Sequence, residues 1–118
     1  MQATGMVRAA ETVIRTIGGC AVRLRLRTTA GAVAGEVIVE PVLVRREKKN
    51  SDGKRAVELL MPAAAVQRTV ESCGAASTRE LVESVLGVSV GSSYFRMTAF
   101  SVEYVFGSEY IWRVSAVE

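Results

Sequence analysis

Residues 21–27 read Ala-Val-Arg-Leu-Arg-Leu-Arg, with Val22, Leu24 and Leu26 alternating against Arg23, Arg25 and Arg27. Successive side chains of a strand point to opposite faces, so one face is apolar and the other carries a row of guanidinium groups. On a helix the same residues would spread charge around the whole circumference, and the period of two decides for strand. The stretch predicts a half-buried strand in a small β-rich domain whose cationic outer face meets something anionic or acidic.

The chain around it has 118 residues, enough for one domain with a single core. Hydrophobic residues make up 49% and charged residues 23%, a globular composition that excludes wholesale disorder. Upstream, Val7, Ala10, Ile14 and Ile17 fall at spacings of three and four, predicting a helix with one apolar face that Gly18-Gly19 stops. Downstream, residues 28–35 (T-T-A-G-A-V-A-G) predict a loop, and the β-branched run at 36–47 predicts a strand with Pro41 at an edge or a bulge. Residues 47–54 predict a hairpin tip turning at Asp52-Gly53, and 55–61 a return strand with Val57, Leu59 and Met61 on one face.

Pro62 suits a first helical turn, Val66, Val70 and Cys73 give that helix its apolar stripe, and Gly74 closes it. Ser77 and Glu80 form an S-x-x-E capping box for a second helix, expected to bury Leu81, Val82, Val85 and Leu86 and to end at Gly87. Residues 88–91 read as a short strand or turn, 94–105 as a strand and 106–109 as a turn. In the last strand, 110–117, Tyr110, Trp112, Val114 and Ala116 face one way. The predicted fold is α+β: a small, mainly antiparallel β-sheet or barrel with an N-terminal helix and a two-helix insert over one open side.

Cys20 and Cys73 read as small buried hydrophobes, with a disulfide open only if the fold brings them together. No stretch approaches the ~20 apolar residues of a membrane span. Residues 1–19 lack the continuous apolar core of a secretion signal, so synthesis in the cytoplasm is expected.

The chain contains no histidine, which removes Ser-His-Asp and Cys-His nucleophile pairs and the commonest zinc ligand. Glu58, Glu71, Glu80 and Glu83, the carboxylates available for acid–base chemistry, sit on expected outward faces or in the cap. No phosphate-binding loop or dinucleotide fingerprint appears. No catalytic, metal or cofactor site is therefore expected.

The net charge of +3 hides an asymmetry: residues 1–55 hold eleven basic and five acidic side chains, and residues 56–118 four and seven. The basic half has two features, the Arg23/Arg25/Arg27 face and the hairpin tip with Arg45, Arg46, Lys48, Lys49, Lys54 and Arg55. Three uses fit them: a solvated surface, a nucleic-acid site, or one side of a subunit contact whose other side is an acidic patch around Glu103 and Glu109 of a neighbouring copy. Against the nucleic-acid use, Tyr94, Phe95, Phe100, Tyr104 and Trp112 all lie in the acidic half rather than among the arginines. A projecting hairpin and unlike charged surfaces suit a head-to-tail ring.

Three stretches carry a family resemblance. Residues 6–27 (M-V-R-A-A-E-T-V-I-R-T-I-G-G-C-A-V-R-L-R-L-R), 87–97 (G-V-S-V-G-S-S-Y-F-R-M) and 106–114 (F-G-S-E-Y-I-W-R-V) resemble the opening helix and strand, a later strand and the closing strand of small head-completion, or head–tail connector, proteins of tailed bacteriophages and prophages. The resemblance covers about half the chain. It implies a non-enzymatic, barrel-like subunit, made in the bacterial cytoplasm and built into the virion. There it would form a homo-oligomeric ring between portal and tail proteins, with DNA passing through the channel. Residues 28–35 and 47–54 become the expected contact loops. A tail-terminator protein of the same assembly and a small basic nucleic-acid-binding module are the alternatives. Salt-dependent DNA binding by a monomer would favour the module.

Overall fold

The alternation at residues 21–27 becomes β1 (Cys20–Arg27), in which Val22 and Leu24 are fully buried while Arg23 and Arg27 are exposed. The structure is a computed structural model and describes residues 3–27, 33–46, 49 and 52–118. β1 pairs antiparallel with β2 (Val33–Arg46) on one side and with β4 (Val85–Val90) on the other. The remaining strands are β3 (Ala56–Pro62), β5 (Ser93–Val105) and β6 (Ser108–Val117), and all neighbours are antiparallel. The six strands close into a barrel in the order β1-β2-β3-β6-β5-β4. With the helix α1 (Ala3–Thr16) and the pair α2 (Ala63–Cys73) and α3 (Thr78–Glu83), this is the expected α+β barrel.

The insert has a topological reason. β3 and β4 follow one another in the chain but stand three places apart in a ring of six, on opposite sides of the barrel. The chain has to cross, and α2 and α3 make the crossing. Val66, Leu81 and Val82, fully buried on these helices, join the barrel core around Trp112, Leu24, Leu59 and Met61. Trp112 is the largest of these side chains; the Phe100 ring lies 6.0 Å from it and the Arg79 guanidinium 5.7 Å. Two hydrogen bonds fasten α2 to the flank of β2: Thr69 Oγ1 donates to the Ile38 carbonyl at 3.0 Å and Arg68 Nη2 to the Glu40 carbonyl at 3.0 Å. Arg68 also pairs with Glu11, joining α2 to α1.

Pro41 sits at the irregularity where β2 leaves β1 and takes up β3, since the register shifts between Cys20 opposite Val42 and Val22 opposite Val39. α1 comes close to this kink. A Cβ on Gly19 would stand 2.7 Å from the Ile14 carbonyl oxygen and 3.0 Å from Pro41 Cβ, so glycine is what permits the approach. Gly53 turns at φ 76° and Gly74 closes α2 at φ 77°, as their positions in the sequence require.

Several expectations are corrected. Val85 and Leu86 belong to β4, not to the second helix, which ends at Glu83; the Ser84 N–H closes its last turn on the Glu80 and Leu81 carbonyls. Half of the capping box forms: Ser77 Oγ accepts from the Glu80 N–H at 3.1 Å, with no return bond to the Glu80 carboxylate. Ile17 lies past the end of α1 and is exposed, whereas Ala10 and Ile14 are buried; the Val7 side chain falls outside what is described. Both cysteines are exposed. The bulge after Cys20 breaks the alternation that would have turned it inward, and Cys73 is the last residue of α2. Residues 33–35 of the expected loop are already strand, and residues 28–32 lie outside the described part, as do residues 47, 48, 50 and 51 of the hairpin tip.

Candidate interaction surfaces

Barrel closure gives the arginine row neighbours that are remote in sequence. Across the outer wall, Ile38 of β2, Arg23 of β1, Ser89 of β4 and Tyr94 of β5 are in register. The next row is Glu36, Arg25, Gly87 and Arg96. Arg25 pairs with Glu36 at 3.6 Å and lies over the Tyr94 ring at 4.9 Å. Tyr94 in turn crosses Gly87, where an added Cβ would stand 2.5 Å from the Phe95 carbonyl oxygen and closer still to the Tyr94 hydroxyl. Arg27 Nη2 donates to the Glu83 carbonyl at 3.0 Å. Arg23 has no ion-pair partner among the described residues and flanks a cavity of about 330 Å³ with Ala21, Ile38, Ser89 and Gly91. This wall thus carries Arg23, Arg25, Arg27 and Arg96, and its aromatic comes from the acidic half of the chain. Expecting aromatics to be segregated from the arginines fails here because β4 carries the chain back beside β1.

The opposite wall is charge-balanced. Arg45 meets Glu58 at 3.3 Å, Glu58 meets Arg113 at 3.5 Å, and Arg113 meets Glu103 at 2.9 Å, a row that crosses β2, β3, β6 and β5. Arg55 Nε and Nη2 grip the Glu118 carboxylate at 2.8 and 2.9 Å, and Nη2 reaches Ser93 Oγ at 3.2 Å. The paired guanidinium, with a backbone bond from the Arg55 N–H, holds the Glu118 carboxyl down at about 2. Arg68 likewise keeps the Glu11 carboxyl below its ordinary value through their hydrogen bond, outweighing the opposite effect of partial burial. Arg46, Lys49 and Lys54 are exposed, and Lys48 lies outside the described residues.

Glu103 and Glu109 do not form one patch. Glu103 points outward to Arg113, whereas the half-buried Glu109 turns to the helical insert. Its two carboxylate oxygens accept from Thr78 Oγ1 at 2.7 and 2.8 Å, and Oε1 also accepts from the Trp112 indole N–H at 3.1 Å. Glu109 therefore ties the start of α3 to β6 beside the fully buried Trp112.

Sequence reasoning missed a further surface. β5 pairs with β4 only through residues 93–96, and β3 reaches along β6 only to Ile111. Beyond those points β5 and β6 continue as a short two-stranded arm of two pairs, Tyr104–Glu109 and Val105–Ser108. Its tip is Phe106-Gly107, with φ of 49° and 78°, the double positive φ of a type I′ hairpin turn. Phe106 is 74% exposed and Tyr104 56%. Alongside the base of the arm, Ala9, Ala10, Val13 and Ile14 of α1 and Tyr110 and Ile111 of β6 line an apolar groove of about 160 Å³. Phe-Gly between two β-rich runs was the available signal, weakened because Asn or Asp is the usual first residue of this turn. Among the described residues no group of three potential ligands is placed to hold a metal ion, and no helix is long and apolar enough to cross a membrane. No protein-family model, curated protein or solved structure matches the chain.

Proposed function

We propose that the chain is a structural, non-enzymatic subunit of a phage or prophage head–tail junction. In this reading it is a head-completion or connector protein that assembles as a homo-oligomeric ring in the virion between portal and tail proteins, with DNA passing through without sequence recognition. The β5–β6 arm carries the reading: a small closed barrel extends two strands beyond its own core and ends them in exposed aromatics. Phe106 and Tyr104 together offer aromatic surface at the tip that gains free energy when another surface covers it. The balanced charge row on the β2-β3-β6-β5 wall and the cationic β1-β4-β5 wall are unlike surfaces, as head-to-tail contact needs. A tail terminator would share all of these features, and the partner protein separates the two.

A nucleic-acid-binding module is the second reading, favoured by Tyr94 among Arg23, Arg25 and Arg96. A channel that lets DNA slide is poorly served by tight Arg–phosphate contacts, so a connector would use this wall against protein. The deciding experiment is DNA binding by the full chain across a salt series, beside Arg23→Ala, Arg25→Ala and Arg27→Ala combined. A connector gives weak binding that the triple variant barely changes. Tight, steeply salt-dependent binding lost in the variant would move the assignment to the module.

A further inference from the structure

We infer that the Phe106 tip of one copy seats in the α1–β6 groove of the next, making the arm and the N-terminal helix the two halves of a self-assembly junction. Among the described residues the groove is lined by Ala9, Ala10, Val13, Ile14, Tyr110 and Ile111, and it measures about 160 Å³. An apolar cavity of about 150 Å³ takes up one benzene ring, so this groove has the volume and lining for a single phenyl side chain. The chain's own tip does not fill it: Phe106 is 74% exposed although Tyr110 is four residues away on the same hairpin. Val13, which lines the groove, is 55% exposed, and Tyr104, two residues from the tip, is 56% exposed, so both sides of the junction leave apolar surface open.

The backbone points the same way. Phe106 occupies a left-handed position that disfavours any residue with a Cβ, least so asparagine and aspartate. A bulky apolar side chain kept in such a place, pointing into water, is disfavoured twice over, and strain of this kind collects at ligand contacts and clamps. Tip and groove are different surfaces of one chain, so the contact is heterologous and propagates to a ring or a filament. A seated phenyl side chain buries at most roughly 150–250 Å² of its own surface, far below the ~1,200 Å² of a stable pair. Single junctions are therefore weak, and closed assemblies, in which every copy holds two, are favoured at high concentration.

The inference rests on the chain being a self-assembling subunit, and sedimentation velocity of the full chain over a wide concentration range separates the two claims. Phe106→Asn places a turn-preferring residue at the tip and leaves the hairpin intact. Val13→Glu replaces an exposed helical valine by a better helix former and puts a charge in the groove. Each variant should stay folded by circular dichroism and associate roughly thirtyfold more weakly than wild type, as truncation of a central aromatic anchor does. Mixed together, the two should associate no further than a heterodimer, populated only at the top of the concentration range because one junction holds it: the Val13→Glu chain still offers a tip and the Phe106→Asn chain still offers a groove. If wild type assembles and both variants assemble equally well, the junction lies elsewhere and the self-assembly reading survives. Loss in Phe106→Asn alone overturns the groove as the tip's seat. A wild type that stays monomeric at every concentration overturns the tip-to-groove junction, and overturns the self-assembly reading as well if it also stays monomeric with portal protein; Phe106-dependent capture by portal protein would give the tip a different occupant.

Discussion

Replacing Glu109 by alanine tests whether this acid is a surface charge or a structural tie. The side chain accepts from Thr78 Oγ1 through both oxygens and from Trp112 Nε1 through one, and Thr78 and Trp112 are 7% and 0% exposed. Truncation leaves a buried indole N–H and a buried hydroxyl without their acceptor. Hydrogen bonds to a charged group contribute about 1.5–3 kcal/mol each, and the two share one carboxylate, so the expected loss is about 3 kcal/mol. That is a large part of the ~5–15 kcal/mol that holds a domain folded. In a chain of this size it lowers Tm by roughly 10–15 °C. Urea denaturation at neutral pH gives the free energy directly. A double-mutant cycle with Thr78→Val assigns the share that passes through the hydroxyl. Glu109→Gln keeps one acceptor oxygen and should lose less than half as much. The Trp112 indole proton, followed by NMR, should shift in Glu109→Ala. A Glu109→Ala variant as stable as wild type would refute the tie and return Glu109 to the exposed acids available to a partner.

Three other outcomes follow from the same structure. Gly19→Ala places a methyl group 2.7 Å from the Ile14 carbonyl oxygen and 3.0 Å from Pro41, so α1 must shift; the expected cost is about 1–3 kcal/mol, read by urea denaturation, with hydrogen exchange rising in α1. Glu118 has its carboxyl lowered from 4.5 to about 2 by Arg55, so the stability it adds is fully present above pH 4.5 and disappears as pH falls through about 2. Carbon-detected NMR titration should place its midpoint near 2, returning toward 4.5 in Arg55→Gln. Glu58→Gln removes the shared acceptor of Arg45 and Arg113 from a solvent-facing charge row and should cost under about 1 kcal/mol, less at high salt.

The strands were legible because one face of each is buried and the other is not, which imposes the period of two seen in β1 and in Trp112, Val114 and Ala116 of β6. The helix stops were legible because Gly18 and Gly74 take backbone angles that other residues resist. The boundary between α3 and β4 was not, since Leu81, Val82, Val85 and Leu86 form an apolar run that fits either period. Cys20 misled for a related reason: alternation turned it inward, and one bulge reversed it. The basic residues were easy to find and their partners were not. Arg25 with Tyr94, Arg45 with Glu58 and Arg113, and Arg55 with Glu118 are joined by strand order, which local sequence does not encode. The same limit hid the groove between α1 and β6, whose two sides are about a hundred residues apart.

The central claim is that this chain is a ring-forming structural subunit. Negative-stain imaging of the 118-residue chain at high concentration, alone and with portal protein, addresses it most directly. The account predicts closed rings of uniform size, capping the portal when both are present. Monomers under both conditions, with no co-purification on portal or particles, would contradict it.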